Sequence, residues 1–65
     1  MTPQQIVDDQ ALTGPRLVEM RKRRGWSQRK LALELSVTVP TISRWECGRV
    51  PISAAMSKLI RATLG

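Results

Sequence analysis

The clearest helical pattern in the chain is a short apolar stripe near its centre. Leu31, Ala32 and Leu35 recur at i, i+1 and i+4, the spacing of one helix face. Ser27 stands where an N-cap is expected, because its hydroxyl can accept a hydrogen bond from the first helical turn. Leu33 lies about 200° around the helix from Leu31 and is expected to be exposed. This stretch therefore predicts a short helix with one buried side.

A second short helix is predicted directly after the first. Ile42 and Trp45 lie three residues apart and face one way, and Thr38 can cap the start of the helix. Pro40 lacks a backbone N–H, which only the first turn of a helix tolerates. Because the residue before a proline is biased away from helical angles, the helix begins either at Val39 or at Pro40.

Further helices are predicted around this pair over residues 2–12, about 15–24 and about 54–64. The residues expected to face the core from the last two helices and the loop before residue 54 are Leu17, Val18, Met20, Val50, Ile52, Met56, Leu59, Ile60 and Thr63. We therefore expect an all-α fold of four core helices plus a short N-terminal helix. Residues 1–65 would form a single domain with a small core.

Charge narrows the choice of partners. The chain carries a net charge of +6, and residues 16–65 hold all eleven basic residues against three glutamates, a net charge of +8. Such a segment has an electrostatic reason to bind a polyanion. With no histidine and a single cysteine, the chain lacks the ligands of a zinc site. No other metal and no cofactor is expected. No apolar run is long enough for a transmembrane helix, and no signal-peptide pattern is present.

The central stretch also carries a recognisable motif. Residues 27–49 read SQRKLALELSVTVPTISRWECGR, which resembles the Cro and lambda-repressor-like (XRE-type) helix-turn-helix family, with the helix-turn-helix at about residues 27–47. The resemblance implies a lambda-repressor-like bundle whose second helix of the pair enters the major groove of double-stranded DNA. This sequence departs from the family pattern at Ser36, where relatives have a turn glycine, and at Val39-Pro40, where they have a polar pair.

The resemblance implies a set of DNA contacts. The positions that correspond to the base contacts of the family are Val39, Pro40, Thr41 and Arg44. The candidate phosphate contacts are Gln28, Ser43 and Arg49, with Arg29, Arg23 and Lys22 as weaker ones that a solvated basic surface would also explain. An arginine can donate two hydrogen bonds to guanine O6 and N7, while valine and proline can pack on thymine methyl groups.

Two structural expectations also follow from the resemblance. Arg21 corresponds to a base that pairs with an acid near the end of the recognition helix, so a partly buried Arg21–Glu46 salt bridge is expected. Ser36 should adopt the positive φ of the glycine that it replaces.

These features favour a transcriptional regulator of bacterial, phage or plasmid origin that binds DNA in the cytoplasm, at the nucleoid. The leading hypothesis is a repressor that blocks a promoter, its own included, and a two-fold operator would follow if the protein forms a homodimer. One alternative is an antitoxin-like or accessory autoregulator that acts with a partner protein. Another is a protein-interaction module of the same fold that no longer reads DNA. No enzyme is expected, because paired carboxylates, an activated nucleophile and a phosphate-binding glycine loop are all missing.

Overall fold

The computed structural model describes residues 11–65, which form four α-helices and no strand. The helices are α1 (Gly14–Arg23), α2 (Gln28–Leu35), α3 (Val39–Glu46) and α4 (Ala54–Leu64). The predicted all-α bundle with four core helices is confirmed. The short helix predicted over residues 2–12 lies, apart from its last two residues, outside the described part of the chain. None of the four helices has the length and apolar character needed to cross a lipid bilayer.

Each helix begins at a hydroxyl residue that caps it. The side-chain oxygens of the four caps accept hydrogen bonds from the backbone three residues later: Thr13 from Arg16, Ser27 from Lys30, Thr38 from Thr41, and Ser53 from Met56. Each bond satisfies one N–H that has no acceptor within the helix. Because α3 starts at Val39, the alternative start at Pro40 is wrong. Proline is tolerated as the second helical residue because an N–H there would lack an intrahelical acceptor.

The first three helices end in the same way. A residue with positive φ follows each of them: Gly25 at 71°, Ser36 at 58° and Gly48 at 76°. The next backbone N–H then bonds back into the last turn, from Trp26 to Arg21 at 3.1 Å, Val37 to Ala32 at 3.0 Å, and Arg49 to Arg44 at 2.9 Å. The positive φ predicted for Ser36 is thus confirmed.

The core forms where the four helices meet. Its apolar members are Leu12, Leu17, Leu31, Ala32, Leu35, Ile42, Trp45, Ile52, Ile60 and Leu64. Trp26, which precedes the cap of α2, is half-buried against this core. Leu33 is 69% exposed, as expected from its place off the apolar stripe.

Two expected core residues lie at the surface instead. Val50 is 42% exposed, because its N–H donates to the Arg44 carbonyl at 3.3 Å and keeps it in the turn that closes α3. Leu59 is 46% exposed. It lies about 100° around α4 from the fully buried Ile60, on the side away from Leu64, and so falls off the face that meets the core.

Two small residues have packing roles that the apolar pattern did not predict. Ser57 is fully buried in α4, and its hydroxyl accepts a hydrogen bond from the Leu12 N–H at 2.9 Å. Gly14, the first residue of α1, is buried against the end of α3. A Cβ on Gly14 would lie 2.5 Å from the Trp45 carbonyl oxygen, so only glycine allows this approach. These contacts fix α3 against α1, and the residues before α1 against α4.

Candidate nucleic-acid interface

The outer face of α3 is the first part of the candidate site. Ile42 and Trp45 hold the helix on the core with 0% and 7% exposure. Pro40 and Arg44 lie one turn apart, each about 160° around the helix from Ile42, and both are exposed. The packing of α3 therefore presents these two candidate base contacts together, on the side opposite the core.

The other two candidate base contacts flank this face near the start of α3. Val39 is 38% exposed. Thr41 is half-buried, and its hydroxyl oxygen lies 2.9 Å from that of the cap residue Thr38. Thr41 therefore contributes to the helix start, and the Val39 side chain is the more accessible of the two next to Pro40.

The start of α2 forms the second part of the candidate site. Ser27 caps the helix through the Lys30 N–H, while the N–H groups of Gln28 and Arg29 meet no acceptor within residues 11–65. Unpaired N–H groups at a helix start favour an anion such as a phosphate. Arg29 is exposed, whereas Gln28 is half-buried.

Gln28 makes a contact that the sequence did not reveal. Its Nε2 donates a hydrogen bond to Oε1 of Glu46 at 2.8 Å, which links the start of α2 to the end of α3. The two residues lie eighteen positions apart, so no local pattern could indicate the bond. The resemblance suggested Gln28 and Glu46 for separate roles, and the structure brings them together.

The expected salt bridge between Arg21 and Glu46 is present. The Arg21 Nε lies 2.7 Å from one carboxylate oxygen of Glu46, and its Nη2 lies 3.1 Å from the other. The side chains are 12% and 8% exposed. Nη1 of Arg21 also donates to the Trp26 carbonyl at 2.9 Å. This bidentate pair fixes the end of α1 and the turn before α2 to the end of α3.

The charges around α2 and α3 leave an excess of exposed cations. Each of the three glutamates in residues 11–65 pairs with a base, Glu19 with Arg16, Glu34 with Lys30, and Glu46 with Arg21. The exposed bases that form no ion pair within this part of the chain include Lys22, Arg23, Arg29, Arg44 and Arg49.

The remaining candidate phosphate contacts lie on three different parts of the fold. Lys22 and Arg23 are in the last turn of α1, where they also complement the helix dipole. Ser43 is exposed on α3, and Arg49 is exposed in the turn that follows α3. All of them are accessible to a large ligand, and only Ser43 shares an element with the candidate base contacts.

The geometry defines a helix-turn-helix: α2 and α3 pack together across a short turn, and α3 leaves uncovered a face that holds Pro40, Ser43 and Arg44. A family model described as helix-turn-helix matches residues 17–65, well over half of the chain. The chain therefore belongs to the Cro and lambda-repressor-like (XRE-type) helix-turn-helix family, which consists of DNA-binding proteins of the transcription-regulator type. Neither the curated proteins nor the solved structures gave a match.

Proposed function

We propose that this protein is a sequence-specific repressor that inserts α3 into the major groove of double-stranded DNA. The observation that carries the proposal is the exposure of Pro40 and Arg44 on the side of α3 opposite the core. The Arg44 guanidinium donates two hydrogen bonds to guanine O6 and N7, and Val39 and Pro40 pack on neighbouring thymine methyl groups. Thr41 contacts the same groove from beside them.

Contacts to the phosphates hold the protein in register on the duplex. Gln28 and the free N–H groups at the start of α2 hold one phosphate, and Ser43 and Arg49 hold others beside α3. Arg29, Arg23 and Lys22 extend this contact through charge. The net charge of +8 on residues 16–65 supports such an arrangement, because it favours association with DNA of any sequence.

Repression would act by steric exclusion in the cytoplasm. The protein bound at a promoter, its own included, blocks access by RNA polymerase. If the protein binds as a homodimer, the operator is two-fold, with half-sites about 10 bp apart on the same side of the duplex.

The first test is a mobility shift on the DNA upstream of the gene that encodes the protein. The reference is a scrambled duplex of the same length and composition, near physiological salt. A preference of about a thousandfold or more lies in the range of specific DNA binders and supports autoregulation. Equal, weak and salt-sensitive binding to both duplexes, followed by failure to enrich any site from a random pool, would contradict specific recognition.

Two variants of one residue then test the base contact. Arg44→Ala should lose the preference for the G·C pair, by about 1–3 kcal/mol of discrimination. Arg44→Lys keeps the charge but not the paired donors, and should lose most of the same preference. Lys58→Ala, which removes an exposed charge from α4, is the control and should leave base preference unchanged. If Arg44→Ala lost affinity equally for all sequences, Arg44 would contact only a phosphate and no base.

A second candidate function is supported by Leu33, which is 69% exposed on α2. A large apolar side chain there is suited to contact with a partner protein, as in an antitoxin-like autoregulator. In that case a co-purifying partner should be lost in Leu33→Ser while DNA binding and stability stay unchanged. If a partner remained bound to the Leu33→Ser variant, Leu33 would be excluded as its contact site.

A further inference from the structure

Glu46 receives hydrogen bonds from two residues that belong to different helices. Its Oε2 accepts from Nε of Arg21 at 2.7 Å, and its Oε1 accepts from Nη2 of Arg21 at 3.1 Å and from Nε2 of Gln28 at 2.8 Å. We infer that Glu46 is a positioning residue for DNA binding, which directs the Gln28 amide toward a DNA phosphate. The inference rests on the proposed function, because it assumes that Gln28 contacts DNA.

The chemistry of the carboxylate fixes the orientation of the amide. An ionised carboxylate only accepts hydrogen bonds, so the group that Gln28 turns toward Glu46 must be its NH₂. That nitrogen carries two hydrogens, and the bond to Glu46 uses one of them. Within residues 11–65 the second hydrogen meets no acceptor, and the inference assigns it to a phosphate oxygen. Gln28 is also the first residue of α2, whose first backbone N–H groups meet no acceptor in this part of the chain.

Arg21 keeps the carboxylate itself from rotating. Two parallel N–H groups of its guanidinium bind both oxygens of Glu46, while Nη1 donates to the Trp26 carbonyl just before α2. The side chains of Arg21 and Glu46 are 12% and 8% exposed, so little water competes for these bonds. An amide that is held in its bound orientation loses less freedom when it contacts DNA.

The arrangement also couples the two parts of the interface. Glu46 is the last residue of α3, which carries Arg44, and Gln28 is the first residue of α2. One hydrogen bond therefore sets the position of a phosphate contact relative to the helix that reads the bases.

A double-mutant cycle tests the inference. Gln28→Ala is measured in the native protein and in the paired variant Arg21→Met/Glu46→Met, which removes both charges and so leaves no unpaired buried ion. In the native protein Gln28→Ala should weaken binding to operator and scrambled DNA alike, by about 10-fold, the effect of one hydrogen bond to a charged group. In the paired variant it should change binding by less than about twofold, within the error of additivity.

The salt dependence separates this effect from a loss of charge. Gln28 is neutral, so Gln28→Ala should leave the slope of log K against log salt unchanged. Arg49→Ala is the matched control: it removes a cationic contact outside the Glu46 cluster, makes the slope less negative by about 0.9, and should have the same effect in both backgrounds. If Glu46 only stabilised the fold, its removal would change the effect of Gln28→Ala on DNA affinity and the effect of Arg49→Ala by the same factor.

The outcomes distinguish the inference from the proposed function. If Gln28→Ala weakens DNA binding by the same factor in both backgrounds, Glu46 does not position Gln28. The same conclusion follows if Gln28→Ala leaves DNA binding by the native protein unchanged while Arg44→Ala still alters base preference. If the native protein binds no DNA at all, the proposed function fails as well. Should the paired variant not fold, as judged by helical circular dichroism, Glu46→Asp replaces it, because the shorter carboxylate keeps its charge near Arg21 but withdraws from Gln28.

Discussion

At the scale of single residues, Ser36 combines a left-handed backbone with a side chain. Its φ of 58° is the one positive value among the described residues other than glycine. The left-handed conformation costs a non-glycine residue about 1–2 kcal/mol, so Ser36→Gly should raise the free energy of unfolding by about 1 kcal/mol. Urea denaturation followed by circular dichroism measures the change.

The same substitution in a regular helix gives the control. Ser43 is exposed in α3, at ordinary helical angles, so Ser43→Gly should lower the free energy of unfolding by about 0.5 kcal/mol. The two serine-to-glycine changes should therefore have opposite signs. Destabilisation by both would mean that the hydroxyl of Ser36 contributes more than its backbone costs.

The Arg21–Glu46 pair makes a second prediction at this scale. Arg21→Ala or Glu46→Ala leaves the other charge largely buried and without its partner, which should cost about 3–5 kcal/mol. That is a large share of the stability of a small domain. Arg21→Met/Glu46→Met together should cost much less than either single change. Thermal melts of all three variants measure this order, and single variants that melt like the native protein would exclude a structural role for the pair.

At the scale of the elements, the sequence predicts where helices begin and end better than which residues they bury. Caps depend on groups three residues apart, so Ser27 and Thr38 could be assigned from local chemistry. Burial depends on where the neighbouring helices lie. Leu59 could not be placed for this reason, since its apolar character is the same on either side of α4. The bond between Gln28 and Glu46 could not be predicted either, because it joins helices whose angle only the tertiary packing sets.

The contact between α1 and α3 also depends on packing that could not be predicted from the sequence. A Cβ at Gly14 would lie 2.5 Å from the carbonyl oxygen of Trp45 and 2.6 Å from that of Glu46. Both atoms are backbone, so the helices would have to move apart. Gly14→Ala should therefore lower the free energy of unfolding by about 1–3 kcal/mol, as overpacked cores do.

A neighbouring substitution controls for the change in helix propensity. Pro15 is the next residue of α1 and is exposed, so Pro15→Ala should leave stability within about 1 kcal/mol of the native value. Guanidinium melts of the two variants give the comparison. Because α3 moves with the contact, Gly14→Ala should also weaken DNA binding under conditions in which it is fully folded. If Gly14→Ala were as stable as the native protein, the two helices would move apart without a loss of stability.

At the scale of the whole molecule, the distribution of charge connects the fold to its ligand. The three glutamates of residues 11–65 are each paired with a base, so within this part of the chain exposed cations such as Lys22, Arg29 and Arg44 form no ion pair and act outward. One of those three pairs is the buried link between α1 and α3, whereas the other two are exposed pairs within single helices, worth little in stability. The positive potential thus comes from residues that the fold does not need for its core.

The last prediction concerns how that potential is used. If Lys22, Arg23, Arg29 and Arg49 each neutralise one phosphate, log K should fall with log salt with a slope near −3.6, about 0.9 for each contact. Changing any one of them to glutamine should then make the slope less negative by about 0.9, whereas Lys58→Gln should not change it. Fluorescence anisotropy of a labelled duplex over a salt series measures each slope. Equal reductions for all five variants would show that the chain binds DNA through its diffuse charge, and a change confined to Arg29 and Arg49 would place the end of α1 outside the interface.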